Sequence, residues 1–276
     1  MKKTLIIFIT VLGFISSFSQ SEEFSIFAGG TYYIGDINPN KHFDQNTNPA
    51  IGFMYKRNDR NFRYAYRLQF MYGMIEAYDH QNDDPWMQNR DLNFRTPILE
   101  LAAIMEVNFM KYRPGQIRKL SETPYLFFGI AGYNFRPKGL YNDKWYDLQA
   151  LGTEGQNTSV NTDGYYKLNQ IALPVGFGYK KNLNKKWTFS IEYGVRILFT
   201  DYLDDVSKQY VSPDVLATEA GILSPILADR SYKQVGDRNI GHNRGNSTQR
   251  DFYFYGGMTL SFTFKEPDPC KPPVEH

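Results

Sequence analysis

In the stretch WTFSIEYGVRILFT, residues 187–200, apolar side chains alternate with polar or small ones from Trp187 to Ile197. Its odd positions from Phe189 to Phe199 are large and apolar, while the even positions include Glu192 and Arg196. A period of two is that of a β-strand, whose successive side chains point to opposite faces. At about 14 residues the stretch exceeds the 5 or 6 common in soluble domains and is long enough to cross a bilayer at a tilt. It predicts a strand whose apolar face contacts lipid.

The same alternation recurs along the chain. It is clear in residues 62–78, 98–109, 169–180 and 252–264, and weaker in 24–34, 50–57 and 125–135, whose faces the pattern does not assign. Compact connections near residues 57–61, 111–124 and 181–186 alternate with long ones at 35–48, 78–93, 136–165 and 201–251. Short turns at one end and long loops at the other are the plan of an outer-membrane barrel.

We therefore predict an all-β fold, an eight-stranded antiparallel transmembrane β-barrel with long extracellular loops and short periplasmic turns. The alternative is a soluble secreted sandwich or lipocalin-like barrel, in which the apolar face would point inward. Strand length argues against it, as do glycines on the polar faces, because a crowded lumen requires small residues and a solvated surface does not.

The N-terminus predicts export. Lys2 and Lys3 precede an apolar run over residues 5–15, and Ser17 and Ser19 follow at the spacing of a signal-peptidase site. We expect a signal peptide at residues 1–19, the barrel at 20–265 and a Pro-rich periplasmic tail at 266–276, with both termini periplasmic. A retained membrane anchor is the alternative reading. The formal charge of +2 gives no reason to expect nucleic acid as a partner.

The alternation along the strands, which places every second residue on the lumen face, predicts a charge network inside the barrel. Its six members, three cations and three anions, are Arg63, Arg67, Glu100, Glu106, Glu192 and Arg196. Unpaired charges in a narrow lumen are costly, so we expect arginine forks paired with carboxylates. We interpret the network as a plug that stabilises the barrel; transport or proton relay is the alternative.

The loops offer little that indicates catalysis. Asp201, Asp204 and Asp205 lie close in sequence but lack the ligand spacing of a calcium loop. The four histidines are scattered, and we expect no metal or cofactor. A hydrolase using His242 with Asp204 or Asp205, or a surface adhesin or ligand-binding barrel, remains an alternative function. The segment from Ser212 onward predicts short helices, with Ser212 as a cap.

Several segments together resemble one family. They are TYYIGDINPNKHF, RDLNFRTPILELA, WYDLQALGTEGQ, FTDYLDDVS, LADRS and RGNSTQRD. Their order and combination are similar to the PorG-type outer-membrane barrels of the type IX secretion system. The resemblance implies a non-enzymatic subunit, embedded in outer-membrane lipid, that docks on a periplasmic ring lipoprotein and its partner subunit. It also implies support of protein secretion and of gliding motility, and it brings no catalytic residues.

The single cysteine, Cys270, follows the last predicted strand in a proline-rich tail. Because the chain has no second cysteine, an intramolecular disulfide is impossible, which leaves a free thiol or an intermolecular bond. We expect Cys270 to cross-link the barrel to its periplasmic partner.

Overall fold

Eight long strands form the body of the molecule. The computed structural model describes residues 19–59 and 61–265. The strands of this body are β1 (Ser19–Ile34), β2 (Asn48–Asp59), β3 (Tyr64–Tyr78), β4 (Asn93–Asn108), β5 (Glu122–Phe135), β8 (Asn169–Asn182), β9 (Trp187–Leu198) and β10 (Phe252–Lys265). Two short strands, β6 (Lys138–Tyr141) and β7 (Lys144–Asp147), form a hairpin in the long loop after β5.

The eight strands close into an antiparallel barrel. Each pairs with its neighbour along the chain, β5 with β8 across the β6–β7 hairpin, and β10 pairs back onto β1. Closure leaves the barrel wall without a free sheet edge, which a membrane requires because lipid cannot hydrogen-bond an open edge. The structure confirms the eight-stranded antiparallel transmembrane barrel that the alternation predicts.

The two faces of the wall differ as the sequence pattern indicates. In β9, Ile191 is exposed on the outside, while Glu192, Gly194 and Arg196 are buried inside. Strands β3, β4, β8 and β10 show the same alternation of exposed or half-buried apolar residues with buried ones. The outer belt of aliphatic and aromatic side chains therefore faces lipid, and the charged positions face the lumen.

Aromatic rings fill much of the lumen. Tyr125 and Phe127 of β5 point inward and are fully buried. Glycines on the neighbouring strands β8 and β9 make room for them: a Cβ on Gly178 would lie 2.5 Å from the Tyr125 ring, and one on Gly194 would lie 2.6 Å from the Phe127 ring. The glycines at the lumen-facing positions of these strands therefore mark places where an inward-pointing ring requires the space.

The long connections pack together over one end of the barrel. We call this assembly, residues 35–47, 79–92, 136–168 and 199–251, the loop cap. It contains a 3₁₀ turn (Asp79–Gln81), helices α1 (Pro85–Arg90), α2 (Leu148–Leu151), α3 (Pro213–Val215) and α4 (Leu223–Ala228), and a π-helical turn (Leu216–Ala220). Its apolar side chains join those of the barrel mouth in one buried cluster that includes Ile37, Leu92, Leu148, Leu203 and Leu227. The short helices after Ser212 form as the sequence predicts, but the Ser212 side chain makes no capping bond.

The short-turn end is closed as well. The connection between β4 and β5 folds inward and buries Tyr112. The Tyr112 hydroxyl bonds to the Asn182 side chain and lies 2.8 Å from the Thr188 hydroxyl. The Asn182 amide in turn donates to the carbonyl oxygens of Arg113 and Gln116, at 2.9 and 2.8 Å. Across the described ranges, no helix combines the length and apolar character needed to cross a membrane.

Candidate functional site: the closed lumen and its loop cap

Arg67 lies at the centre of the half of the lumen that is nearer the short turns. Its Nη1 donates to Glu192 Oε2 at 2.7 Å and to Glu106 Oε1 at 3.1 Å. Lys180 donates to the other Glu106 oxygen at 2.7 Å, and Lys56 lies 3.5 Å from Glu106. The Tyr125 hydroxyl donates to Glu192 at 2.9 Å. Each carboxylate thus meets cationic or hydroxyl donors, which offset the cost of burying it.

Arg196 and Glu100 form a second layer toward the loop cap. Arg196 Nε donates to Glu100 Oε2 at 3.0 Å and Nη2 donates to Oε1 at 3.2 Å. This is the fork-to-fork geometry that arginine makes with a carboxylate. Gln69 and Tyr253 also donate to Glu100, at 3.0 and 2.8 Å. All four side chains are buried, so this layer is a rigid plug.

The buried charges of the lumen balance. In the described part of the barrel the cations are Lys56, Arg67, Lys180 and Arg196, and the anions are Glu23, Glu100, Glu106 and Glu192. Four ionisable groups of each sign give the lumen no excess of one charge that would favour one kind of ion. The paired charges support a structural plug, although Glu23 Oε1 and Arg67 Nε and Nη2 are buried without a hydrogen-bond partner.

Arg63 does not belong to this network, so its predicted interior position is wrong. Its side chain is exposed, and its Nη1 donates to the carbonyl oxygen of Phe109 at 2.5 Å. Phe62 has a φ of 61°, which places it in a turn, and β3 begins only at Tyr64. Strand parity therefore does not extend back to Arg63. The structure brings the other five predicted residues together inside the barrel.

Sequence reasoning missed three members of the network. Lys56 lies in a strand whose inward positions also carry Met54, so hydrophobicity alone does not separate its faces. Glu23 precedes Phe24, the residue at which the sequence pattern begins the first strand. Lys180 is on the polar parity of β8, and counting every charge on that parity would have included it.

Two buried arginines organise the loop cap. Arg90 pairs with Asp79 through Nε at 2.6 Å and Nη2 at 2.7 Å, and donates to the carbonyl oxygens of Arg244 and Asp36. Arg244 donates to the carbonyl oxygen of Ala228 at 2.9 Å and to Glu154 at 3.1 Å. These bonds join segments from all four long loops. The cap is therefore held by satisfied buried polar groups as well as by its apolar cluster.

Tyr33 ties the longest loop to the barrel mouth. Its hydroxyl lies 2.5 Å from Asp204 Oδ2 and 2.9 Å from Asp251 Oδ1. A hydroxyl has one proton to donate, so it cannot fully satisfy both carboxylates, and this arrangement favours a proton on one of the carboxyls. Burial, followed by the charge of Asp251, raises the pKa of Asp204. Burial, followed by the charge of Asp201, raises the pKa of Asp251.

The hydrolase alternative finds no geometric support. His242 is exposed, whereas Asp204 and Asp205 are buried; Asp204 contacts Tyr33, and Asp205 accepts from Tyr166 at 2.7 Å. Burial raises the pKa of Asp201 to about 7 and that of Asp205 to about 6. Within the described ranges no three residues of the histidine, cysteine, aspartate and glutamate types are arranged to hold a metal ion. Cys270 lies outside the described residues.

Comparison of the sequence with models of known families shows the family of this chain. The model of a family described as "Domain of unknown function (DUF6089)" matches residues 2–212. The chain belongs to that family. No curated protein matches this member of the DUF6089 family in sequence.

Among solved structures, the chain is similar to several small barrels. Ail, the attachment invasion locus protein of Yersinia pestis, solved with the heparin analogue sucrose octasulfate, has 8% identity and a TM-score of 0.42 over 89% of this chain and 99% of that one. Neisserial surface protein A has 9% identity and a TM-score of 0.41, covering 88% and 97%. The outer membrane protein OprG from Pseudomonas aeruginosa has 10% identity and a TM-score of 0.41, also covering 88% and 97%.

Proposed function

We propose that this chain is a non-enzymatic barrel of the outer membrane that anchors or helps to assemble a type IX secretion machine. In this arrangement its short turns and both termini lie in the periplasm, and the loop cap faces outward. Its partners are a periplasmic ring lipoprotein and the partner subunit of that ring.

The observation that carries this proposal is the filled lumen. Two layers of paired charges, centred on Arg67 and Arg196, lie between the loop cap and the Tyr112 closure. A small barrel filled in this way is a poor pore, since its centre holds side chains instead of water. A rigid closed barrel suits the role of a membrane-fixed attachment point. The segments that resemble PorG-type barrels supply the identity of the machine.

The test is a pull-down from membranes solubilised in mild detergent, followed by mass spectrometry. We expect a tagged chain to recover the ring lipoprotein and its partner subunit in reproducible proportion. An equally abundant, unrelated eight-stranded barrel carrying the same tag is the control and should recover neither. Recovery of this barrel alone, under conditions that keep the ring intact, would contradict the assembly role.

Cys270 offers a covalent test of the same role. If the tail contacts the ring, a disulfide should link the barrel to its partner, because the chain has no second cysteine to pair with Cys270. Non-reducing electrophoresis of native membranes should show a heavier species that disappears with reductant. That species should be absent in Cys270→Ser. A monomer in every lane would contradict the cross-link, and the pull-down would remain the test of the assembly role.

A further inference from the structure

A polar cleft opens on the surface of the loop cap. It has a volume of about 610 Å³ and is lined by Asp36, Trp86, His242, Asn243, Gly245 and Asn246. Small-ligand sites typically occupy about 300–1,000 Å³, so the cleft is large enough for one. Neither the lumen network nor the assembly role uses these side chains.

Trp86 forms one wall of the cleft and is held rigidly. Its backbone N–H donates to Asp84 Oδ1 at 2.8 Å, and Pro85 occupies the first position of helix α1. The indole packs over the guanidinium of the buried Arg90, whose Cζ lies 4.6 Å from the ring. The side chain is nevertheless 48% exposed. A fixed and exposed indole presents a flat apolar face at little entropic cost to binding.

The facing wall is fixed by the same buried arginine. Arg90 donates to the carbonyl oxygen of Asp36 at 2.9 Å and to that of Arg244 at 2.6 Å. Asp36 Oδ2 accepts the backbone N–H of Asn246 at 3.0 Å. The tryptophan, the aspartate and the segment 242–246 therefore share one buried support, which pre-organises the cleft.

The chemistry of the lining selects a ligand class. The cleft offers amides, a carboxylate and an imidazole, which together donate and accept hydrogen bonds. Among the described residues no lysine or arginine side chain lines it, and phosphate or sulfate recognition relies on such cations. Trp86 is the single apolar side chain of the lining, so a peptide would find no set of apolar pockets.

We propose that this cleft binds a neutral saccharide. The C–H face of a sugar ring stacks on Trp86, and its hydroxyls, each both donor and acceptor, bond to Asp36, His242 and Asn243. Saccharide binding here is independent of the assembly role, because it uses the opposite end of the barrel from the short turns.

A second cleft extends the first. It has a volume of about 650 Å³ and shares Asn243, Gly245 and Asn246 with its neighbour. Its further lining includes Gln209 and Thr248, which again offer donors and acceptors, together with Val160, Val211 and Lys208. The Lys208 ammonium lies 3.1 Å from Asp163 Oδ2, so its charge is paired. Two clefts on either side of one segment match a chain of sugar units better than a single unit. A hexasaccharide should therefore bind at least tenfold more tightly than its monosaccharide.

The experiment uses the full chain in an amine-oxide detergent, which has no sugar head group to compete. Trp145→Phe and Trp187→Phe leave Trp86 as the only tryptophan of the three in the chain. Its fluorescence is titrated with maltohexaose, cellohexaose, chitohexaose and mannohexaose, and with dextran sulfate as an anionic comparison. We expect a saturable change with at least one neutral hexasaccharide. Calorimetry should show at least tenfold weaker binding in Trp86→Ala and a several-fold loss in His242→Ala.

Trp145→Ala is the matched control. Trp145 also lies in the long loops and packs on an arginine, with Arg95 Cζ at 4.0 Å, but it does not line the cleft. Its removal should leave affinity unchanged, and all variants should keep the heat-modifiable gel band of a folded barrel. Equal affinity in Trp86→Ala and the unaltered chain, binding of dextran sulfate alone, or no binding by any neutral hexasaccharide at millimolar concentration would each overturn the proposal.

Discussion

Arg67 and Arg63 lie four residues apart but have opposite environments. Arg67 is buried between Glu106 and Glu192, while Arg63 is exposed at the turn before β3. Arg67→Met leaves a buried Glu192 without its cation, which typically costs about 3–5 kcal/mol. Arg63→Met should cost less than about 0.5 kcal/mol. Urea unfolding in detergent, followed by the gel shift of the folded barrel, measures both. Equal midpoints for the two variants would contradict the assigned lumen.

The glycines of the wall give a second prediction at this scale. A Cβ on Gly194 would lie 2.6 Å from the Phe127 ring and 3.1 Å from the Val175 carbonyl oxygen, so Gly194→Ala forces the ring to move. Overpacking of this kind costs about 1–3 kcal/mol. Gly132 is the matched control, because no atom lies within 4 Å of its added Cβ. Gly132→Ala should leave the unfolding midpoint nearly unchanged; an equal loss in both variants would mean that Phe127 does not fill the lumen as described.

At the scale of the strand, the limits of sequence reasoning follow from what fills the lumen. Alternation identified the faces of β9 because its inward side chains are polar or small, such as Glu192 and Gly194. It failed to assign β5, because Tyr125 and Phe127 point inward and both faces are apolar. Arg63 was misplaced because a positive φ at Phe62 breaks the period. Hydrophobicity predicts a face only where the lumen-facing residues are less apolar than the lipid-facing ones, as with the tyrosines Tyr253 and Tyr255 of β10.

The longest loop should respond to pH through its tie to β1. The pKa values of Asp204 and Asp251 are raised, chiefly by burial, so the folded loop holds a proton that the unfolded loop releases. The resulting stability is complete below the ordinary aspartate pKa of about 4 and is lost as the pH rises through the raised values. Limited proteolysis of the loop cap should therefore be faster at pH 8 than at pH 5, with the protease activity normalised at each pH.

Asp251→Asn should remove part of that difference, because the amide cannot ionise. Asp237, an exposed aspartate of the same loop, supplies the control, and Asp237→Asn should keep the full difference. Cleavage that is equally fast at both pH values in the unaltered chain would exclude a proton shared through Tyr33 as a source of loop stability.

At the scale of the whole molecule, the loop cap is the part that the sequence could not predict. The contacts that hold it join distant segments, such as Arg244 with Glu154 and Arg90 with the Asp36 carbonyl oxygen. Local patterns in loops do not encode such pairs, whereas each barrel strand carries its own period of two. The sequence therefore predicts the wall and one long-range feature of the lumen, its paired charges, because parity places those charges in the same narrow space.

The lumen is closed at several successive levels, and we therefore predict that the barrel does not conduct ions. The Tyr112 closure, the Arg67 layer, the Arg196 layer and the loop cap follow one another along the lumen. An ion would have to pass every layer, so opening one of them leaves the others closed. Tyr112→Ala removes the short-turn closure alone, and it should conduct no more than the unaltered chain. Planar bilayer recordings, with a large porin as the positive control, measure the conductance of both chains. Discrete conductance steps in the unaltered chain would show that the charge layers are hydrated and permeable. Steps confined to Tyr112→Ala would show that the Tyr112 closure is the only barrier to ions.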